Sequence, residues 1–136
     1  MQDRENTART SILPERRPRV ALADDHPAVL AALGRLLEAS CDVVARVPNG
    51  AQAIEAAATL RPDVLVVDLM MPDVDGLEVC RTVRQVSPET AVIIVSAFDD
   101  AQVRRIAVRN GAIDLLPKSL VSDRLEQTIA RIFAER

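Results

Sequence analysis

Val64-Leu65-Val66-Val67-Asp68-Leu69-Met70-Met71-Pro72-Asp73-Val74-Asp75-Gly76 changes character at its fifth residue. The first four residues form an unbroken aliphatic run. A continuous run of this kind marks a strand buried on both faces, as in the centre of a parallel sheet. It ends in a carboxylate and a loop carrying Pro72 and Gly76. Three other runs behave in the same way: Val20-Ala21-Leu22-Ala23 runs into Asp24-Asp25, Val92-Ile93-Ile94-Val95 runs into Ser96, and a mostly apolar stretch from Ile113 to Pro117 runs into Lys118. If these are parallel strands of one sheet, their carboxyl ends lie along one edge, where open α/β sheets bind ligands. Three carboxylates, a hydroxyl and an ammonium gathered there make a site for a divalent cation and a phosphoryl group.

The remainder of the chain supplies the helices this arrangement needs. Strands are predicted over residues 19–24, 42–47, 64–68, 91–96 and 113–116, and helices over 27–39, 51–60, 76–86, 100–109 and 121–134. Val29, Leu30, Leu33, Leu36 and Leu37 recur at helical spacing. Pro27 suits a first helical turn, where its missing N–H costs nothing. Asn49-Gly50 marks a turn, Asn110-Gly111 a helix C-cap, and Ser122 or Asp123 an N-cap. The predicted fold is α/β: a doubly wound, five-stranded parallel sheet in order 2-1-3-4-5, flavodoxin-like, (βα)5. Residues 1–18 are polar, Arg-rich and aperiodic and read as a flexible leader before one domain over 19–136. Arg16-Arg17-Pro18-Arg19 reads as solvated, with anion binding as the sharper alternative.

Composition narrows the function. The chain has 136 residues, enough for one domain with a substantial core. It has no Trp or Tyr, two Phe and a net charge of −3, so neither base stacking nor a basic DNA footprint is visible. Cys41 and Cys80 form no CxxC motif and read as buried free thiols of a reducing compartment. No apolar run approaches the ~20 residues that span a membrane, and the N-terminus lacks an apolar signal-peptide core. A cytoplasmic, soluble protein is expected.

Each site residue also has a plainer reading. Asp24 or Asp25 could cap the following helix. Their adjacency is nevertheless costly in a crevice without a cation, and Mg²⁺ takes a few carboxylates, waters and a phosphate oxygen. Asp68 is an N-cap, a metal ligand or a nucleophile. Ser96 caps a helix or bonds a phosphoryl oxygen. Lys118 is a surface lysine, a phosphoryl partner or a partner of Asp68. His26, the only histidine, lacks metal-binding partners in sequence and reads as a helix-start residue.

The set as a whole resembles the receiver domain of bacterial two-component response regulators. The matching residues are Asp24-Asp25, the stretch from Asp68 to Gly76 (close to the family's D-[LIV]-x-M-P-x-[ML]-[DN]-G), Ser96-Ala97, and Lys118 after Gly111-Ala112. Asp24-Asp25-His26-Pro27 and Lys118-Ser119 are similar to the NarL/FixJ-type branch, whose members often carry a helix-turn-helix output domain, expected here to lie outside this chain, with a single-domain regulator as the alternative. The resemblance implies a phosphorelay switch rather than an enzyme in the usual sense. Asp68 would accept a phosphoryl group from a sensor histidine kinase or phosphotransfer protein. Asp24, Asp25, Asp68 and the Met70 carbonyl would hold Mg²⁺, and Lys118 and Ser96 would contact the phosphoryl oxygens. The switch would control transcription through the output domain, with no DNA or membrane contact by this domain and with homodimers as a further expectation of the family. Leu125, Ile129, Ile132 and Phe133 form the helical stripe where such a contact would compete with core packing.

Two positions depart from the family. Leu115 stands where an aromatic switch residue is common, and Pro117 precedes the lysine. Phe98 and Met70 are expected to hinder water near the acyl phosphate. Flavin binding would call for a Ser/Thr/Gly phosphate loop after the first strand, and a haloacid-dehalogenase-type phosphatase for Asp-x-Asp. The remaining alternative is a pseudo-receiver, a protein-interaction module that is never phosphorylated, and it would be expected to lack one of these groups.

Overall fold

The computed structural model describes residues 16–135. Strands and helices alternate: β1 (Arg19–Ala23), α1 (Pro27–Leu37), β2 (Asp42–Val47), α2 (Gly50–Leu60), β3 (Val64–Asp68), α3 (Gly76–Val86), β4 (Ala91–Ser96), α4 (Ala101–Arg109), β5 (Asp114–Pro117), a single 3-10 turn (Lys118–Leu120) and α5 (Val121–Ala134). All neighbouring strands are parallel, in the order β2-β1-β3-β4-β5.

The aliphatic runs explain the layering. Successive side chains of a strand point to opposite faces, so one run feeds two cores. Ala21, Ala23, Leu65, Val67, Val92, Ile94 and Leu115 pack with Ala53 and Ala57 of α2, Val79, Cys80 and Val83 of α3, and Ala107 of α4. Val20, Leu22, Val64, Val66, Ile93, Val95 and Leu116 pack with Leu33 and Leu37 of α1 and Leu125, Ile129 and Ile132 of α5. The expected apolar stripe of α5 is thus a core face. Phe133, its fourth member, is only half-buried and lies under the Arg16 guanidinium at 4.8 Å.

Pro27 opens α1, and Asn49, Asp75 and Asp100 cap α2, α3 and α4 by accepting backbone N–H groups. Asn110 ends α4, and Gly111 takes a positive φ of 105°. Several expected boundaries shift. Asp24 lies outside β1, and α1 stops at Leu37. The fifth strand is one residue later than its pattern, because Ile113 is half exposed and Pro117 pairs opposite Ser96. Pro117 is tolerated there because β5 has a neighbour on one side only. Neither Ser122 nor Asp123 caps α5. The 3-10 turn leads directly into the helix, Leu120 holds the cap position without a side-chain bond, and both residues lie in the first turn.

Residues 1–15, which make up most of the expected leader, lie outside the described residues. The basic tetrapeptide that follows is not solvated throughout. Arg16 makes a two-pronged pair with Asp63 at 3.1 Å per prong, and Arg17 donates to the carbonyls of Glu38 and Cys41. Cys41 and Cys80 are buried and free, and burial pushes the Cys80 thiol up to about 11. A thiol held so far above its ordinary range carries little nucleophilic thiolate. Among the described residues no helix is long and apolar enough to cross a membrane.

Candidate functional site

Strand register brings the polar strand ends together. Ala23 pairs with Val67 and Asp68 with Val95, so Asp24 and Asp68 emerge side by side from β1 and β3. Ser96 pairs with Pro117, so the hydroxyl and Lys118 follow on the next two strands. Ligand atoms of Asp24, Asp25, His26 and Asp68 lie within 4.8 Å of one another. Asp24 and Asp68 are buried, 2% and 3% exposed, whereas Asp25 faces solvent.

Asp68 is held at both oxygens. The Met70 N–H donates to Oδ1 at 3.4 Å, and Lys118 Nζ lies 3.4 Å from Oδ2. Burial raises the Asp68 pKa above the ordinary carboxylate value, and the Asp24 charge adds to the rise. Together they outweigh the opposing pull of Lys118 and the Met70 N–H. A carboxylate beside a lysine therefore still carries a net cost of ionisation, because desolvation and a like charge exceed one partly exposed ammonium.

Asp24 turns the chain into α1. Its Oδ1 accepts the His26 N–H at 2.9 Å, and His26 Nδ1 lies 3.1 Å from Asp24 Oδ1 and 3.1 Å from Asp25 Oδ1. His26 occupies the N-cap position of α1, in keeping with a helix-start residue. The expectation that it lacks ligand-bearing neighbours is corrected, since three carboxylates gather beside it. Ser96 is fully buried, and its Oγ accepts the Phe98 N–H at 2.9 Å. It stabilises its own turn, while Asp100 caps the following helix. Phe98 and Met70 are 56% and 65% exposed.

Two features escaped the sequence reading. Gly76 does not take a positive φ, so what calls for a glycine there is space. A Cβ there would lie 2.8 Å from the Asp68 carbonyl oxygen and 2.9 Å from Leu69 Cα. Its role is to allow close approach of α3 to the strand end that carries Asp68. Asp73, in the same loop, accepts N–H groups from Gly50 and Ala51 of α2. The only sequence signal for that tie is an acid in the loop and a Gly at a helix start, 23 residues apart. Leu115, in the aromatic-switch position, is fully buried in the core.

The model of the response regulator receiver domain matches residues 20–130. Response regulator MprA of Mycobacterium ulcerans is 38% identical over 116 residues, covering 85% of this chain and 49% of that protein. The chain spans about half the length of the curated relatives it matches. Among solved structures, a LuxR-family two-component response regulator from Aurantimonas sp. SI85-9A1 has a TM-score of 0.82 at 30% identity, covering 88% of this chain and 87% of that one. The signal receiver domain of NarL from Mycobacterium tuberculosis has a TM-score of 0.76 at 30% identity, covering 89% of this chain and 96% of that one. The chain belongs to the response regulator receiver domain family.

Proposed function

We propose that this receiver domain accepts a phosphoryl group on Asp68, with Mg²⁺ as cofactor, from a sensor histidine kinase or a phosphotransfer protein. The observation that carries the reading is the placement of Asp68. It is a buried carboxylate at a strand end, with one oxygen 3.4 Å from Lys118 Nζ, beside a second buried carboxylate. A carboxylate oxygen attacks phosphorus, an O–P bond forms, and the P–N bond of the phosphohistidine breaks. The bonding pair leaves with the imidazole nitrogen, and the product is an acyl phosphate.

Lys118 supplies positive charge where charge moves from the donor to the new acyl phosphate, the main demand of phosphoryl transfer. The Met70 N–H keeps Oδ1 oriented. Ser96 sits one residue beyond the Asp68–Val95 pair and would exchange its bond to the Phe98 N–H for a phosphoryl oxygen. A contact made in one state alone biases a two-state equilibrium. Because Leu115 is locked in the core, that bias does not run through an aromatic ring at this position.

The donor set fits a hard cation. Two buried carboxylates and a third at the rim face one another, with one ammonium among them. Mg²⁺ prefers oxygen ligands, so Asp24, Asp25, Asp68 and the Met70 carbonyl would hold it, and His26 Nδ1 would remain a hydrogen-bond donor to the carboxylates. When bound, the ion would supply positive charge that offsets the charge of the transferring phosphoryl group. The reading places the protein in the cytoplasm and its output in transcription, through a domain outside this chain.

Intact-mass analysis after incubation with a small-molecule phosphodonor tests the proposal. The native chain should gain one phosphoryl group with Mg²⁺ and none without it, and Asp68→Ala should gain none. A native chain that takes up no phosphoryl group with Mg²⁺ would leave an interaction module.

A further inference from the structure

The loop between β3 and α3 carries both the neighbour of the acceptor, Leu69, and the residue whose carbonyl would face the cation, Met70. Its ends are pinned locally. The Leu69 N–H donates to the Val95 carbonyl at 2.9 Å, the Gly76 N–H donates to the Leu69 carbonyl at 2.9 Å, and Asp75 caps α3 by accepting the Glu78 N–H at 2.9 Å.

The middle of the loop is held from another element. Asp73 Oδ1 accepts the Gly50 N–H and Oδ2 the Ala51 N–H, each at 3.0 Å. Those are the first two N–H groups of α2, which have no partner within the helix and sit at the positive end of its dipole. Charge-assisted bonds of this kind are among the stronger ones available to a surface carboxylate, and backbone N–H groups led by that of Ala51 hold the Asp73 carboxyl below its ordinary value. The seat is shaped to the loop as well. Gly50 is buried, and a Cβ there would lie 2.3 Å from the Val74 carbonyl oxygen and 2.8 Å from Val74 Cβ.

The helix does not need Asp73 as its cap. Asn49 already caps α2 by accepting the Gln52 N–H at 2.9 Å, and Ala53 and Ala57 fix α2 in the core. What Asp73 adds is a hold on the loop. Among the described residues it is the side chain that ties the loop to α2 by hydrogen bonds.

We propose that Asp73 is a positioning residue: its carboxylate anchors the loop of residues 69–75 to the N-terminus of α2 and so sets where the Met70 carbonyl would meet the cation. The inference rests on the Mg²⁺ reading above for the cation's place. Without the tie, the loop's centre is held between its two local pins only by the packing of Met71 and Val74 on the core, and part of the cation's binding energy goes into ordering the backbone around them.

The test uses the whole chain with Asp73→Ala and, as a control, Asn49→Ala, which removes a cap from the same helix without touching the loop. Mg²⁺ affinity is read by titration calorimetry, and backbone amide exchange at Met70 and Met71 is read by NMR on the metal-free chain. Asp73→Ala should weaken Mg²⁺ binding about tenfold, the scale typical of residues that orient metal ligands, and should speed exchange at both amides. Asp73→Asn, which keeps one acceptor oxygen, should fall between native and Ala. Asn49→Ala should lower the melting temperature and leave Mg²⁺ affinity and both exchange rates as in the native chain. Native-like affinity and exchange in Asp73→Ala would overturn the inference, as would an equal loss in Asn49→Ala, which would reduce Asp73 to a second helix cap. If the native chain itself binds no Mg²⁺, the cation reading fails on its own, and the exchange rates alone decide whether Asp73 anchors the loop.

Discussion

Asp68 is ionised at a cost, and that cost has a pH signature. Its pKa is raised in the fold by burial first and by Asp24 second. Below the ordinary carboxylate value both folded and unfolded states carry the proton, and nothing is lost. As pH rises through the ordinary value towards the raised one, the unfolded chain ionises first, so stability falls and then levels off. Asp68→Asn removes the titration while keeping the shape. In metal-free urea unfolding it should be more stable than the native chain at neutral pH, and the gap should close as the pH drops below the carboxylate range. A variant less stable at neutral pH would mean that the 3.4 Å pair with Lys118 outweighs desolvation. The acidic pair and the lysine were legible in the sequence because each directly follows an apolar run. The position of His26 against three carboxylates was not, because it depends on how the chain turns between β1 and α1.

At the scale of elements, the junction of β3 and α3 is the tightest point near the site. Helix propensity alone favours Gly76→Ala, but by less than the helix-interior figure of about 1 kcal/mol, because Gly76 is the first residue of α3. The Cβ would press on two backbone positions, at 2.8 and 2.9 Å, that cannot move aside as a flexible side chain does. We expect the substitution to cost about 1–3 kcal/mol in urea unfolding, the range for overpacking, and to disturb the backbone that presents Asp68. A variant at least as stable as the native chain would contradict this. Strands β1, β3 and β4 were legible because a two-sided burial run leaves no other economical reading. The helix ends that rested on Pro27 and Asn110-Gly111 were legible as well, whereas Asn49-Gly50, expected as a turn, is the N-cap and first residue of α2. The start of α5 was not: Ser122 and Asp123 have cap chemistry, but a 3-10 turn from Lys118 supplies the entry instead.

For the whole molecule, the order β2-β1-β3-β4-β5 is one that short connections and the right-handed crossover rule favour, and it brings four strand ends to one edge. The sequence therefore showed the site as a set of strand endings before any contact was known. It did not show the long-range ties, such as Asp73 with α2 or Arg16 with Asp63, 47 residues away, since a polar residue in a loop carries no mark of its distant partner. The central claim is that this edge exists to place one phosphoryl group on one carboxylate. Its most direct test is to incubate the chain with a phosphodonor and Mg²⁺, reduce it with borohydride, which converts an acyl phosphate to an alcohol, and map the peptides by mass. The account predicts homoserine at position 68 and nowhere else; homoserine at position 24 or 25, or an unchanged chain, would contradict it.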